Sequence, residues 1–188
     1  MHAEFDDIVE SVKPGHARTL NAVLEWAIAE TRADFGDIQI VHKRDGSLRI
    51  VAQRGFAVPF LQFFRIVKND ESLCAATMKQ AKQLVVRDVT SSPLFNESAR
   101  RVMLENDVLA CQSTPILSSA GSVLGVLSTH YRRPTRPTER QLRRVSEMAG
   151  YVGELLERHV LPVSTTADVS ALVDEIRDRS LKTRTIRG

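Results

Sequence analysis

Leu20, Val23, Leu24, Ala27 and Ile28 recur at three- and four-residue spacing. That period lines them up on one face and predicts a helix over residues 15–31. Pro14 and Gly15 separate it from a shorter helical stretch. The period then changes to two: Ile38, Ile40 and His42 alternate with Gln39 and Val41, which predicts a strand over 37–43. Asp45-Gly46 is hairpin-turn chemistry, and 48–54 is the returning strand.

The next stretch is mixed. Residues 59–65 are apolar and aromatic and read as a short helix. Ser72 is placed to cap a helix over 73–81, and 84–88 reads as a short strand. Ser92-Pro93 has the form of a helix start, with the helix running over 94–106. Two strands follow, 108–117 and 122–131, joined by the turn material Ser118-Ser119-Ala120-Gly121. Thr138 and Gln141 have capping-box spacing ahead of a long helix over 139–159. Within it Leu142, Val145, Ala149, Val152 and Leu156 fall at spacings of 3, 4, 3 and 4, a heptad seam suited to pairing two helices. Pro162 ends that helix. A weaker amphipathic pattern (Val169, Leu172, Val173, Ile176) lies beyond it. Hairpins flanked by helices predict an α+β fold with an antiparallel sheet.

Composition narrows the class. The chain has 188 residues, 43% hydrophobic and 26% charged, which suits one globular domain. No apolar run approaches the roughly 20 residues of a membrane span. Residues 1–10 are acidic and contain no Lys or Arg, unlike a secretory signal. A cytoplasmic protein is expected. Cys74 and Cys111 are far apart and read as free thiols, and the five histidines show no metal-ligand spacing. No metal and no cofactor is expected. No phosphate-cradling loop, nucleophilic triad or carboxylate pair is present in a credible context, so no catalytic residue is assigned and no enzymatic activity is expected. Net charge is +3, with arginines gathered at Arg132, Arg133, Arg136, Arg140, Arg143 and Arg144. Without interleaved aromatics this cluster reads as a solvated loop and helix start rather than a nucleic-acid surface.

Several segments taken together resemble a GAF domain over residues 20–159. They are Gly36-Asp37-Ile38-Gln39-Ile40, the strand from Leu48 through Phe56, Leu84-Val85-Val86-Arg87-Asp88-Val89, Cys111-Gln112-Ser113-Thr114-Pro115-Ile116, Gly125-Val126-Leu127-Ser128-Thr129-His130-Tyr131 and Thr138-Glu139-Arg140. The resemblance is to GAF domains attached to bacterial sensor histidine kinases and related regulators. It implies a central antiparallel sheet of five to six strands. The N- and C-terminal helices would cover one face, and loops and short helices of 57–107 would cover a ligand pocket on the other. Family ligands include cyclic nucleotides, tetrapyrroles, haem and small metabolites, and many members dimerise through their terminal helices. The expected function is therefore a non-enzymatic sensory domain of two-component type, binding an unidentified small molecule or a signalling partner. It would act as a homodimer joined by Leu142, Val145, Ala149, Val152 and Leu156. Residues 1–14 would be an extension, 15–160 the domain and 161–188 a helical tail. No kinase, cyclase or DNA-binding module follows, which suggests a piece of a larger signalling protein or a stand-alone adaptor.

The expected ligand-binding residues are Phe64, Cys74, Met78, Phe95, Gln112, Thr114, Ser128 and His130. Gln112 and Thr114 share a strand face and are expected to reach the pocket. Cys74, in the first turn of a helix capped by Ser72, is placed to have a lowered pKa. That supports an alternative, a redox sensor or thiol enzyme using Cys74 and Cys111. Cys74 is followed by Ala75-Ala76 rather than by the His of bilin-binding relatives. Leu73-Cys74-Ala75-Ala76 also resembles one cysteine stretch of the GAF-related enzymes that reduce free methionine sulfoxide. The stretch that should hold their nucleophile reads Ser92-Pro93-Leu94-Phe95-Asn96, without a cysteine.

Overall fold

The computed structural model describes residues 14–68 and 72–158, together with Asp174. Residues 1–13 of the expected 1–14 extension, the end of the long helix at His159, the stop at Pro162 and the pattern at Val169, Leu172, Val173 and Ile176 lie outside the described residues. Among those described, the chain runs α1 (Pro14–Thr31), β1 (Phe35–Val41), β2 (Leu48–Arg54), α2 (Val58–Phe64), β3 (Ile66–Val67), α3 (Leu73–Gln80), β4 (Leu84–Val86), α4 (Glu97–Glu105), β5 (Ala110–Leu117), β6 (Val123–Tyr131) and α5 (Glu139–Arg158). The strands form one six-stranded antiparallel sheet in the order β3-β2-β1-β6-β5-β4. This is the α+β architecture expected from the pattern.

Local chemistry explains the turns. Asp45 Oδ1 accepts from the Ser47 N–H (3.1 Å) and hydroxyl (2.7 Å), and Gly46 takes a positive φ of 67°. Those hydrogen bonds hold the Asp45 carboxyl well below the usual carboxylate range. Thr138 and Gln141 make the reciprocal capping box: the Thr138 N–H donates to Gln141 Oε1 (2.8 Å), and the Gln141 N–H to Thr138 Oγ1 (3.3 Å). Ser72 caps α3 as expected, accepting from the Ala75 N–H.

The helix expected over 94–106 starts later. Asn96 is its cap, accepting from the Ala99 N–H at 2.7 Å. Ser92 instead accepts from the Leu94 N–H, two residues on, which makes a turn rather than a helix start. That turn buries Phe95. β4 also stops early, because Asp88 Oδ1 takes the Thr90 N–H and hydroxyl in a local turn.

Alternation along the strands builds two cores. Ile38, Ile116 and Leu127 face α1 and α5, packing with Leu20, Leu24, Trp26, Val145, Met148, Ala149 and Val152. Phe35, Leu48, Cys111 and Val126 face the other way, against Phe60, Phe64, Leu73, Phe95 and Met103 of the α2–α4 layer. Gly153 sets the closeness of α5 to the sheet, since a Cβ there would fall on the Leu117 carbonyl. Arg144, half-buried on α5, holds Glu30 of α1 at 3.1 Å and lies over the Trp26 ring.

The heptad residues therefore have an occupant within the chain. Val145, Ala149 and Val152 are wholly buried against its own sheet and α1. As the helix is seated here, they are core rather than exposed dimer surface. Leu142 and Leu156 are half-buried.

Candidate functional site

The loop-side face of the sheet carries a buried polar strip. On β1, Asp37 and Gln39 point to this face, with Ile38 opposed. On β5 and β6 the register pairs Cys111 with His130 and Ser113 with Ser128, and all four are buried on the same face. His130 Nε2 meets Asp37 Oδ1 at 3.0 Å. Both side chains are almost fully enclosed, at 5% and 2% exposure. The Ser113 and Ser128 hydroxyls are 2.6 Å apart, and Cys74 Sγ of α3 lies 3.5 Å from the Ser128 hydroxyl and 3.7 Å from that of Ser113. The Gln39 amide reaches toward the Phe64 carbonyl at 3.5 Å.

Aromatic rings close this strip. Phe56 stacks on Phe60 (centroids 3.8 Å) and on Phe35 (5.3 Å), and Phe60 contacts Phe64 (4.6 Å). The His130 ring stands edge-on to Phe56 and Phe60. Among the described residues, four buried polar atoms in this layer find no hydrogen-bond partner: Asp37 Oδ2, Gln39 Oε1, Thr77 Oγ1 and His130 Nδ1. Buried polar atoms are nearly always paired, and leaving one unmet costs about 1–3 kcal/mol.

Of the expected ligand residues, Phe64, Cys74, Met78, Phe95, Ser128 and His130 all belong to this loop-side layer. Gln112 and Thr114 do not. They share a face, but it is the helix-side face with Ile116 and Leu127. There the Gln83 amide donates to Thr114 Oγ1 (2.7 Å) and to the Leu142 carbonyl (3.0 Å). Thr114 Oγ1 donates to Gln112 Oε1, and the Gln112 amide donates to Thr129 Oγ1, both at 3.0 Å. The Thr129 and Tyr131 hydroxyls extend the chain. Their polar side chains are satisfied and tie Gln83, just before β4, to β5, β6 and α5.

Cys74 also departs from expectation. It does sit in the first turn of α3, but burial dominates the helix end and pushes the thiol up to about 12, with the Asp37 charge adding to the effect. Burial raises Cys111 as well. Both are free, protonated thiols at neutral pH, which removes the low-pKa argument for a redox or thiol-enzyme role. Asp37, Gln39, Ser113 and Thr77 were missed from the sequence. The signal for the first two was available: Phe35, Asp37, Gln39 and Val41 alternate on β1 just as Ile38 and Ile40 do.

Among the described residues, no group of three or more His, Cys, Asp or Glu is arranged to hold a metal ion. No helix there is long and apolar enough to cross a membrane.

A family model described as GAF domain matches residues 16–157. A 76-residue stretch is 32% identical to the methyl sulfide methyltransferase-associated sensor of Methanosarcina acetivorans, covering 40% of this chain but only 8% of that protein. The backbone is also similar to a domain described as belonging to a two-component sensor histidine kinase protein from Sinorhizobium meliloti 1021. That match has a TM-score of 0.63 and 19% identity, covering 74% of this chain and 88% of the other. The type II free methionine-R-sulfoxide reductase of Thermoplasma acidophilum has the same fold, with a TM-score of 0.62 and 14% identity, covering 77% and 95%.

Proposed function

We propose that this chain, which belongs to the GAF domain family, is a non-enzymatic sensory module that reads a small hydrogen-bonding ligand through the loop-side layer. The observation that carries this is the buried Asp37–His130 pair, with a partnerless oxygen on one side chain and a partnerless nitrogen on the other. A ligand with complementary donors and acceptors would satisfy those atoms together with Gln39 and Thr77. The aromatic stack of Phe56, Phe60 and Phe64 would have to shift to admit it, moving α2 and α3. The signal would then leave through α5, which rests on β5 beneath the same sheet. In this reading residues 15–160 are the sensing unit, and the flanking segments connect it to whatever it regulates.

The packed state of the layer favours a second reading, an adaptor that works by contact with a signalling partner. Native mass spectrometry of the purified chain, compared with its denatured mass, separates the two. A co-purifying small molecule lost in Asp37→Asn supports ligand sensing. A bare chain overturns that reading in favour of the adaptor, provided no metabolite in a broad panel slows hydrogen exchange in α3.

A further inference from the structure

A concavity lies outside the loop-side layer, where β6 leaves the sheet and the chain turns into α5. It encloses about 750 Å³, within the roughly 300–1,000 Å³ of small-molecule sites. Its cationic lining is Arg32 from the end of α1, Arg132, Arg133 and Arg136 from the connector, and Arg140 from the first turn of α5. Two carboxylates share the lining, but both are engaged. Glu30 is held by Arg144 at 3.1 Å, and Asp34 accepts from the Arg132 N–H at 2.8 Å. Arg132 is itself committed to Asp107 (2.8 Å) and to the Phe35 ring. Among the described residues, no acid pairs with Arg32, Arg133, Arg136 or Arg140. Among the described residues, four guanidinium groups thus line one groove without an ion-pair partner of their own.

Arg32 is held on the groove wall by the end of its helix. It closes α1 with a φ of +55°, and the Ala33 N–H reaches back to the Ile28 carbonyl. That left-handed position is usually glycine, which takes it without strain. A guanidinium stands there instead, on the wall of the groove. Buried Tyr131 and Pro137 supply firm backing.

We infer that this groove binds a compact polyanion, a di- or triphosphate group either free or carried on a small molecule. Guanidinium forks match phosphate oxygens in pairs. Arg32 sits just past the end of α1, while Arg133, Arg136 and Arg140 sit on the connector and α5. A phosphate chain across the groove would therefore bridge the two terminal helices and add an input distinct from the loop-side layer. This inference does not rest on that layer, so either can fail without the other.

The test is a titration of the full, isotope-labelled chain with inorganic tripolyphosphate at low salt, followed by amide NMR. Saturable shifts centred on Arg32 and residues 135–141 are expected. The double variant Arg136→Glu with Arg140→Glu should weaken binding at least about tenfold, while Arg143→Glu, outside the groove lining, should leave it unchanged. All three side chains are exposed, so the fold is expected to persist, as an unchanged amide spectrum elsewhere would confirm. Adenosine triphosphate then separates the sources: tighter binding than tripolyphosphate indicates a phosphorylated small molecule, and equal binding a free polyphosphate. Non-saturating shifts, or indifference to the double charge reversal, overturn the inference. Tighter binding of a single-stranded oligonucleotide, with a steep salt dependence, overturns it in favour of nucleic acid.

Discussion

Gly153 and Gly150 stand one turn apart on α5, and the structure gives their replacement by alanine opposite signs. In a solvated helix interior, exchanging Gly for Ala stabilises by about 0.8–1 kcal/mol, because glycine loses more backbone freedom on folding. Nothing lies within 4 Å of a Cβ built at Gly150, so Gly150→Ala should show most of that gain. At Gly153 the same Cβ would overlap the Leu117 carbonyl oxygen and carbon, which are backbone atoms of β5 and cannot rotate away. The helix must lift or shift instead, which loosens Val145, Met148, Ala149 and Val152 in their seats. Overpacking a core in this way costs roughly 1–3 kcal/mol. With the propensity gain subtracted, Gly153→Ala should destabilise by up to about 2 kcal/mol. Urea unfolding monitored by far-ultraviolet circular dichroism, with Trp26 fluorescence as a second probe, measures both variants against the parent. In a chain of this size 1 kcal/mol shifts the melting temperature by about 2–4 °C, so the pair should separate clearly. Equal stabilisation by both alanines would refute the close seating of α5 on β5. It would also reopen the heptad seam as an intermolecular surface.

Three further outcomes follow from the same structure. Asp37→Ala leaves His130 without its buried partner and should destabilise by about 2–4 kcal/mol in urea, whereas Asp37→Asn should cost clearly less; equal costs would show that the hydrogen bond contributes little. Cys74 and Cys111 should resist a thiol reagent at pH 8 and both react in denaturant. Because the folded thiol of Cys74 is raised from 9.0 to about 12, its contribution to stability is intact below pH 9 and is lost as pH rises from 9 towards 12; rapid native labelling or a flat profile would contradict this. Asn96→Ala should cost about 1 kcal/mol as the loss of a helix cap, and Ser92→Ala distinctly less; the reverse order would restore Ser92 as the helix start.

Much of the architecture was legible because short-range rules governed it. The Asp45-Gly46 turn, the capping box of Thr138 and Gln141 and the Ser72 cap depend on hydrogen bonds between near neighbours, and each appears where its residues predict. The start of α4 was misplaced because two capping signals lie four residues apart. Asn96 wins the helix, and Ser92 bonds its own turn two residues on. The candidate site was half legible. His130, Ser128 and Cys74 stood out as polar or reactive residues in apolar surroundings. Asp37 and Gln39 did not: alternation puts them on one face of β1, but their contacts are with a strand and a helix remote in sequence.

Alternation determined from the chain alone that Gln112 shares a face with Thr114, and Cys111 with Ser113. It carried no information about which layer would cover each face, since a strand of period two has no intrinsic inside. The strand order β1-β6-β5 and the seating of α5 decided that, sending Gln112 and Thr114 to the terminal helices and Ser113 to the aromatic layer. The same division holds for the seam of Val145, Ala149 and Val152. Its apolar character is a property of the sequence. Only tertiary packing settled what it is buried against here: water is excluded equally well by a second helix or by the chain's own sheet, and with Gly153 clearing the way, the sheet lies within reach.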